Sequence, residues 1–210
     1  MKKERQKKRK VFLNCGANKG NDILLFREVY GRDYEIFAFE PEPRCFPHLD
    51  EFKNINHIKK AIGVTDAPIT FHEGKFTAGG SLRQDKQTFM SGRSYTVESI
   101  DFPKWLLENF TEEDEVVCMW NIEGGEFDIF PSLLSSGAYK IISEFYVELH
   151  GEKLANTSKN DDLMWADELK RFFGDKVYIY NYYQSEKFCS ISSEFWNNET
   201  KKEGKEIYKK

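Results

Sequence analysis

Polar side chains that could do chemistry follow the ends of four predicted β-strands. The predicted strands cover residues 10–13, 35–39, 115–121 and 140–149. In a parallel sheet the ligand lies outside the carboxyl ends of the strands, so side chains at those ends face a common crevice. Amides and carboxylates there can bind hydroxyl groups, and a carboxylate or an imidazole can accept a proton. We expect one site built from Asn14, Glu40, Asn121, Glu123, Glu148 and His150.

The turn after the first predicted strand is rich in glycine. Apolar residues lead to Asn14, and Gly16 and Gly20 then punctuate a turn before a predicted helix. Gly16 lets a ligand approach the main chain closely, and the helix offers unpaired N–H groups at its positive end. Glu40 closes the second strand, where folds of this kind hold a pair of ribose hydroxyls. The two features together predict a nucleotide cofactor.

Strands and helices alternate along the chain, which predicts a mainly parallel sheet with helices on both faces. Further strands are predicted at residues 56–62, 69–72 and 95–100, and a closing antiparallel pair at 176–182 and 187–192. Helices are predicted up to residue 30 and at residues 44–53, 102–109, 126–135 and 161–173. Glu126 begins one of these helices, where its charge suits the helix dipole, so it is left out of the expected site.

Residues 73–92 form a long stretch rich in glycine, serine and threonine. So long a loop inside a compact domain is usually functional or mobile. We expect it to fold over the bound cofactor as a lid, with Ser81 near the reaction centre. A plain mobile surface excursion is the alternative.

Composition indicates a globular protein. The chain has 210 residues, 40% of them hydrophobic, with no apolar run of membrane-spanning length and an N-terminus too polar for a signal peptide. Its four cysteines are scattered, which argues against a zinc site or a disulfide framework and favours a cytoplasmic location. The first ten residues carry a net charge of +6 and the rest −10, and the acidic body argues against nucleic acid as a partner. We expect a basic tail at residues 1–9, a single domain at 10–196 and a polar tail at 197–210.

Four short motifs follow one another along the chain. They are Asn14-Cys-Gly-Ala-Asn-Lys-Gly20, Ala38-Phe-Glu-Pro-Glu-Pro43, Lys60-Ala-Ile-Gly63 and Asn121-Ile-Glu-Gly-Gly-Glu126. Together they resemble the FkbM family of S-adenosylmethionine-dependent methyltransferases, whose pattern runs Asp-x-Gly-Ala-Asn-x-Gly, Phe-Glu-Pro and Asp-x-Glu-Gly-x-Glu. The resemblance spans residues 10–150 and implies an α/β protein with the Rossmann-like class I methyltransferase fold, a mainly parallel seven-strand sheet.

The resemblance also implies where S-adenosylmethionine would bind. Glu40, followed by Pro41, would bond the ribose hydroxyls, and Ala61 and Ile62 would flank the adenine. The methionine part would lie against the first loop, at Asn14, Gly16, Ala17, Asn18 and Gly20.

The chain departs from the family pattern at three positions. Asn121 and Glu123 would face the methionine end of the cofactor or the acceptor, yet Asn14 and Asn121 stand where the family usually has Asp. Met119 stands where a Lys is common. An amide can still hydrogen-bond but carries no charge and cannot act as a base. Cofactor binding is therefore better supported than any base role at residue 121.

Methyl transfer to a hydroxyl needs alignment of the reacting atoms and removal of one proton. The candidate catalytic residues are His150, Glu148 and Glu123, of which His150 titrates nearest neutrality. The same cluster could instead hold a divalent cation that lowers the pKa of the hydroxyl. Because the chain lacks a dense Asp/His motif, a metal is not favoured.

The resemblance implies an O-methyltransferase that acts on a hydroxyl of a carbohydrate or glycoconjugate acceptor, within a larger glycan-assembly polypeptide or complex. One alternative is an O-methyltransferase of a non-sugar small molecule. Another is a non-catalytic S-adenosylmethionine-binding module, suggested by the amides at Asn14 and Asn121. A nicotinamide-dependent oxidoreductase is disfavoured because the first loop lacks the third glycine of Gly-x-Gly-x-x-Gly.

Overall fold

The computed structural model describes residues 8–180. Strands and helices alternate over that range, as the sequence pattern predicts. The strands are β1 (Lys10–Cys15), β2 (Glu35–Phe39), β3 (Asn56–Ile58), β4 (Ala61–Gly63), β5 (Ile69–Gly74), β6 (Met90–Val97), β7 (Ser99–Asp101), β8 (Glu115–Trp120), β9 (Ile142–Glu148) and β10 (Val177–Tyr180). The α-helices are α1 (Asn21–Tyr30), α2 (Phe46–Asp50), α3 (Phe102–Asn109), α4 (Glu126–Ser135) and α5 (Lys159–Phe173).

Six of these strands form one sheet in the order β10-β9-β8-β1-β2-β3. β1 pairs in parallel with β2 and β8, and further parallel pairs join β2 to β3 and β8 to β9. The strand order reverses between β1 and β8, so the switch point of the sheet lies where these two strands end. Cys15, the last residue of β1, is in register with Phe39 of β2 and Trp120 of β8. The segments that follow these three strands therefore begin at the same edge.

Helices cover both faces of this sheet. Val11 and Leu13 of β1 pack with residues of α3, α4 and α5 in one buried cluster, whereas Phe12 packs with residues of α1 and α2 in another. Val116 and Val117 of β8 divide between the same two clusters. The division follows the period of two in a strand. The predicted α/β fold, a mainly parallel sheet between two helical layers, is confirmed.

Aromatic packing fixes α4 against the strand that leads to the switch point. Trp120, the last residue of β8, is fully buried. Its ring stacks on Phe130 of α4 with centroids 5.5 Å apart and meets Phe145 of β9 edge-on at 5.0 Å. Each such pair contributes about 0.5–1.5 kcal/mol beyond the burial of its area. The start of α4 is thereby held close to the ends of β8 and β9.

The prediction of one strand over residues 56–62 is wrong, because this segment forms two strands. β3 joins the main sheet, whereas β4 pairs in parallel with β7 in a separate two-stranded sheet. The chain bends between them, where the N–H of Lys60 donates to the carbonyl of Ile58 at 2.8 Å. Lys59 turns outward at the bend and pairs with Asp50 at 2.9 Å.

Two other predicted strands have different bounds. Residues 95–100 divide between β6, which begins earlier, and β7. The strand predicted from residue 140 begins at Ile142, because Gly137 adopts a left-handed φ of 79° and starts a 3-10 turn over Ala138–Ile141. The helices predicted at 102–109 and 126–135 are confirmed with those limits.

The segment at residues 73–92 is more structured than a plain loop. β5 and β6 form an antiparallel pair, and a 3-10 turn spans Thr77–Gly79. An antiparallel bridge joins His72 to Ser81, and a second joins Lys86 to Leu154. We refer to residues 73–92 as the excursion. Its closure as a lid stays a prediction.

The predicted tail at residues 1–9 overlaps the folded part of the chain at Arg9. Its guanidinium pairs with Glu35 at 2.6 Å and lies 4.8 Å from the ring centroid of Phe110. The predicted strand at 187–192 and the predicted tail at 197–210 lie outside the described residues. Among the helices of residues 8–180, none has the length and apolar character needed to cross a membrane.

Candidate active site

The loop after β1 packs closely against the end of β8. The N–H groups of Gly16 and Ala17 both donate to the carbonyl of Phe39, each at 3.0 Å, and the N–H of Asn121 donates to the carbonyl of Cys15 at 3.0 Å. Gly16 has a left-handed φ of 80°, and a Cβ atom there would lie 2.0 Å from the carbonyl oxygen of Asn121. Only glycine fits this position.

Asn14 is fully buried at the switch point. Its register partners on the neighbouring strands are Ala38 and Met119, neither of which offers a polar side chain. Within residues 8–180, neither its amide nitrogen nor its amide oxygen has a hydrogen-bond partner. An unpaired buried polar group costs about 1–3 kcal/mol. A polar ligand group at this edge would remove that cost, so Asn14 fits the expected cofactor.

Glu40 is a buried carboxylate at the end of β2. It accepts the N–H of Asn18 at 2.7 Å and the N–H of Glu42 at 2.8 Å. Burial raises the pKa of Glu40 to about 7, although both backbone hydrogen bonds favour the ionised form. Each carboxylate oxygen keeps a second lone pair, so Glu40 can also accept hydroxyl donors from a ribose.

Glu123 lies in a strained turn between β8 and α4 and faces three cations. Its φ is 58°, a left-handed value that is uncommon outside glycine. Its carboxylate pairs with Lys86 at 2.5 Å, with Lys153 at 3.1 Å and with His150 at 3.4 Å. Burial opposes ionisation of Glu123, but His150, Lys86 and Lys153 hold its pKa below the ordinary value.

His150 is fully buried among carboxylates. Its Nδ1 lies 2.9 Å from Glu126, and its Nε2 lies 3.3 Å from Glu148 and 3.4 Å from Glu123. Burial alone would lower the pKa of His150, but these neighbours, Glu126 above all, raise it to about 10. At neutral pH the ring is therefore an imidazolium, which donates hydrogen bonds and has no lone pair free to accept a proton.

Glu126 belongs to this cluster, although the sequence pattern assigned it to the start of a helix. Its carboxylate accepts the N–H of Ile122 at 3.1 Å and the N–H of Gly124 at 2.8 Å, in addition to its contact with His150. It is fully buried. The final Glu of the motif Asn121-Ile-Glu-Gly-Gly-Glu126 was the signal that could have identified it.

Glu148 is the most open carboxylate of the cluster. Its side chain is 40% exposed, compared with 14% for Glu123 and none for Glu126. Burial raises the pKa of Glu148, but His150 outweighs it, so the group is ionised at neutral pH. Asp22 of α1 lies opposite, where burial and the charge of Glu148 raise its pKa to about 6.

The excursion covers the ends of β8 and β9. Ser81 is buried, and its hydroxyl donates to the carbonyl of Glu123 at 2.7 Å. Lys86 is also buried and donates to the carbonyl of Gly79 at 2.6 Å as well as to Glu123. The N–H of Ala155 donates to the carbonyl of Asp85 at 2.9 Å. The sequence did not indicate that Lys86 belongs to the site, because a single lysine in a polar loop is usually a surface residue.

A salt-bridge network ties the same excursion to the end of β2. Arg44 pairs with Glu42 at 2.8 Å, and its guanidinium also donates to the carbonyl of Gly74 at 3.0 Å. Glu73 accepts Arg93 at 2.5 Å. The excursion is thus held on both sides of the switch point.

The predicted site residues fall into two groups. Ala61 and Ile62 are buried in β4, which belongs to the small sheet with β7, and Pro41 follows Glu40 in the turn after β2. The residues brought together around the ends of β1, β2, β8 and β9 are Asn14, Gly16, Ala17, Asn18, Gly20, Glu40, Ser81, Asn121, Glu123, Glu148 and His150. Within residues 8–180 no group of three or more His, Cys, Asp or Glu side chains is arranged to hold a metal ion.

Comparison with known proteins agrees with this fold. The family model described as the methyltransferase FkbM domain matches residues 14–180, which is most of the chain. No curated protein matches the chain, and no solved structure matches it. The matched range begins at the buried Asn14 near the end of β1 and includes every strand end of the site. The chain belongs to the FkbM family of methyltransferases.

Proposed function

We propose that this protein is an S-adenosylmethionine-dependent O-methyltransferase that acts on a hydroxyl of a carbohydrate or glycoconjugate. The proposal rests on two buried groups at the switch point: an amide that has no hydrogen-bond partner among residues 8–180, and a carboxylate. These are Asn14 and Glu40, on either side of the glycine turn. Family membership supports methyl transfer, and the two polar groups support a cofactor with a polar amino-acid part and a ribose.

The cofactor fits the residues present. Asn14 and the turn from Gly16 to Gly20 would hold the methionine part, and Glu40 would accept the ribose hydroxyls. Ala61 and Ile62 would provide apolar contact to the adenine. When bound, the cofactor supplies a methyl group already activated on a positively charged sulfur. The chain therefore has to align the acceptor and receive one proton.

Glu148 is the group that we assign to receive the acceptor's proton. Glu123 is neutralised by three cations, and His150 is already protonated, so neither is free to accept. In the transfer that the bound cofactor would supply, the acceptor oxygen would gain the methyl group, and the sulfur would keep the electron pair of its broken bond to carbon. The acceptor's proton becomes acidic in that step and passes to Glu148, so a carboxylate of low basicity suffices.

The acceptor class rests on the polar character of the open side of the cluster. Glu148 and Lys153 are partly exposed there, and both suit a ligand with several hydroxyl groups. The acidic body of the chain supports the expectation that nucleic acid is not a partner. A second candidate, a non-catalytic S-adenosylmethionine-binding module, is favoured by the amides at Asn14 and Asn121.

Calorimetry with S-adenosylmethionine and S-adenosylhomocysteine tests the cofactor. We expect both to bind, and Glu40→Ala to weaken both strongly. Glu35→Ala is the matched control, because it removes an exposed carboxylate from the opposite end of the same strand. Failure of wild-type protein to bind either compound would refute the proposal.

Methyl transfer to a panel of oligosaccharides, phenols and other small alcohols tests the acceptor. Glu148→Gln should lower kcat and leave cofactor affinity unchanged. Transfer to phenols alone would support the non-sugar alternative. Cofactor binding without transfer to any acceptor would support the binding module.

A further inference from the structure

Glu126 connects two parts of the cluster that are separate in the chain. One carboxylate oxygen accepts the N–H of Ile122 at 3.1 Å and lies 2.9 Å from Nδ1 of His150, and the other accepts the N–H of Gly124 at 2.8 Å. The side chain is entirely buried. Within residues 8–180, the hydrogen bonds of this carboxylate are therefore made to the turn after β8 and to the segment after β9.

The turn that Glu126 holds is conformationally unfavourable. Glu123 and Gly124 both have left-handed backbones, with φ values of 58° and 103°. A side chain other than glycine rarely adopts such a conformation unless its surroundings enforce it. The two N–H bonds to Glu126 flank Glu123 and fix the direction of its carboxylate.

The charge of His150 depends on groups from four elements. Glu126 faces it from α4, Glu123 from the turn, Glu148 from β9 and Asp162 from α5. Lys153, in the 3-10 turn that follows, opposes them through its contact with Glu123. Glu126 is the nearest of these groups and the most buried of the three glutamates, so its charge is screened least by solvent.

We propose that Glu126 is a positioning residue for methyl transfer: it fixes the turn that carries Glu123 and holds His150 as an imidazolium 3.3 Å from Glu148. The proposal rests on the proposed function, in which Glu148 receives the proton. Glu126 itself touches neither cofactor nor acceptor. The imidazolium keeps Glu148 ionised, so the acceptor meets a carboxylate that is ready to take a proton.

The first test measures the titration of His150 by nuclear magnetic resonance of its ring nitrogens. In wild-type protein we expect both nitrogens to be protonated at pH 8. In Glu126→Gln, which keeps the size of the side chain and removes its charge, the midpoint should fall by at least about one pH unit. Glu168→Gln, which removes an exposed carboxylate paired with Arg171, should leave the midpoint unchanged. A neutral ring in wild-type protein at pH 8 would overturn the proposal.

The second test separates positioning from folding. Glu126→Gln should lower kcat by roughly tenfold or more and leave KM for the cofactor within about twofold. If this variant does not fold, Glu126→Asp is used instead. It keeps the charge but shortens the side chain, so we expect the midpoint of the His150 titration to stay high while kcat falls. A wild-type kcat in a variant whose midpoint has moved would refute the positioning role. The titration of His150 needs no cofactor. Failure of the wild-type protein to bind S-adenosylhomocysteine would therefore refute the proposed function, but it would not change the measured midpoint of His150.

Discussion

Substitution of Gly16 by alanine tests the geometry of the switch point most directly. The new Cβ atom would lie 2.0 Å from the carbonyl oxygen of Asn121 and 2.9 Å from its carbonyl carbon. Both contacts are to backbone atoms, which cannot swing away as a side chain can. The first loop, the end of β8 or both must therefore shift.

The size of the effect follows from two contributions. A left-handed backbone costs an alanine about 1–2 kcal/mol relative to glycine, and overpacking costs about 1–3 kcal/mol. Together they predict that Gly16→Ala lowers the free energy of unfolding by about 2–5 kcal/mol. For a chain of this size that corresponds to a fall in Tm of about 4–20 °C.

Gly92→Ala is the matched control for this substitution. Gly92 has a φ of 84°, close to the 80° of Gly16, but a Cβ atom there meets nothing within 4 Å. Both substitutions remove similar freedom from the unfolded chain, about 0.4–1 kcal/mol, so that contribution cancels in the comparison. Gly92→Ala should therefore show the backbone cost alone.

Urea unfolding and calorimetry with S-adenosylhomocysteine measure the two consequences. We expect Gly16→Ala to be the less stable variant and to lose binding, and Gly92→Ala to bind as wild type does. Equal stability of the two variants would refute the clash with Asn121. Normal binding by a folded Gly16→Ala protein would refute the location of the cofactor at this turn.

Three further predictions concern charge and the excursion. Because burial raises the pKa of Glu40 from 4.5 to about 7, its contribution to wild-type stability is lost as the pH rises through 7. Relative to Glu40→Gln, wild type should lose roughly 3 kcal/mol between pH 4 and pH 8 in urea unfolding. Lys86→Met should lower the free energy of unfolding by roughly 3 kcal/mol, because the carboxylate of Glu123 then loses one of its cations. Ser81→Ala should raise hydrogen exchange in residues 73–92, and S-adenosylhomocysteine should slow exchange there in wild type.

Each of these predictions has a control or an opposing result. A pH-independent difference between wild type and Glu40→Gln would contradict the raised pKa. Lys104→Met removes an exposed cation paired with Asp66 and should change stability little. An equally small effect of Lys86→Met would show that its ion pair contributes nothing. Equal exchange of residues 73–92 with and without S-adenosylhomocysteine, together with normal turnover in Ser81→Ala, would leave the excursion without a catalytic role.

Local signals in the sequence were sufficient for the main elements of the fold. The helix α3 begins where Asp101 accepts the N–H of Lys104 and where Pro103 occupies the first turn, and both features are visible in the sequence. The continuous apolar run before Asn121 predicted the strand that is buried on both faces. The strand ends that carry the candidate site could therefore be predicted from the sequence alone.

The charges of the candidate site could not be predicted in the same way. Lys86 is buried against Glu123, and the partly exposed Lys153 pairs with the same carboxylate, because the excursion pairs with the segment after β9, far along the chain. No local pattern encodes a pairing of that kind. His150 was expected to titrate nearest neutrality, yet carboxylates on other elements, Glu126 above all, raise its pKa to about 10. Contacts between distant segments determine the protonation state of such a group, and no local pattern in the sequence indicates those contacts.

The positions of these charges bear on two questions: which carboxylate can take the acceptor's proton, and whether a divalent cation can bind at Glu123. Glu123 already accepts two ammonium groups within 3.1 Å, so a divalent cation at that carboxylate would have to displace Lys86 or Lys153 against their mutual repulsion. Glu148 pairs with His150, and its side chain is 40% exposed. In the proposed function, the lysines would keep Glu123 bound to the excursion and leave Glu148 available to the acceptor. Metal-independent transfer with Glu148 as proton acceptor is the chemistry that this division of charge favours.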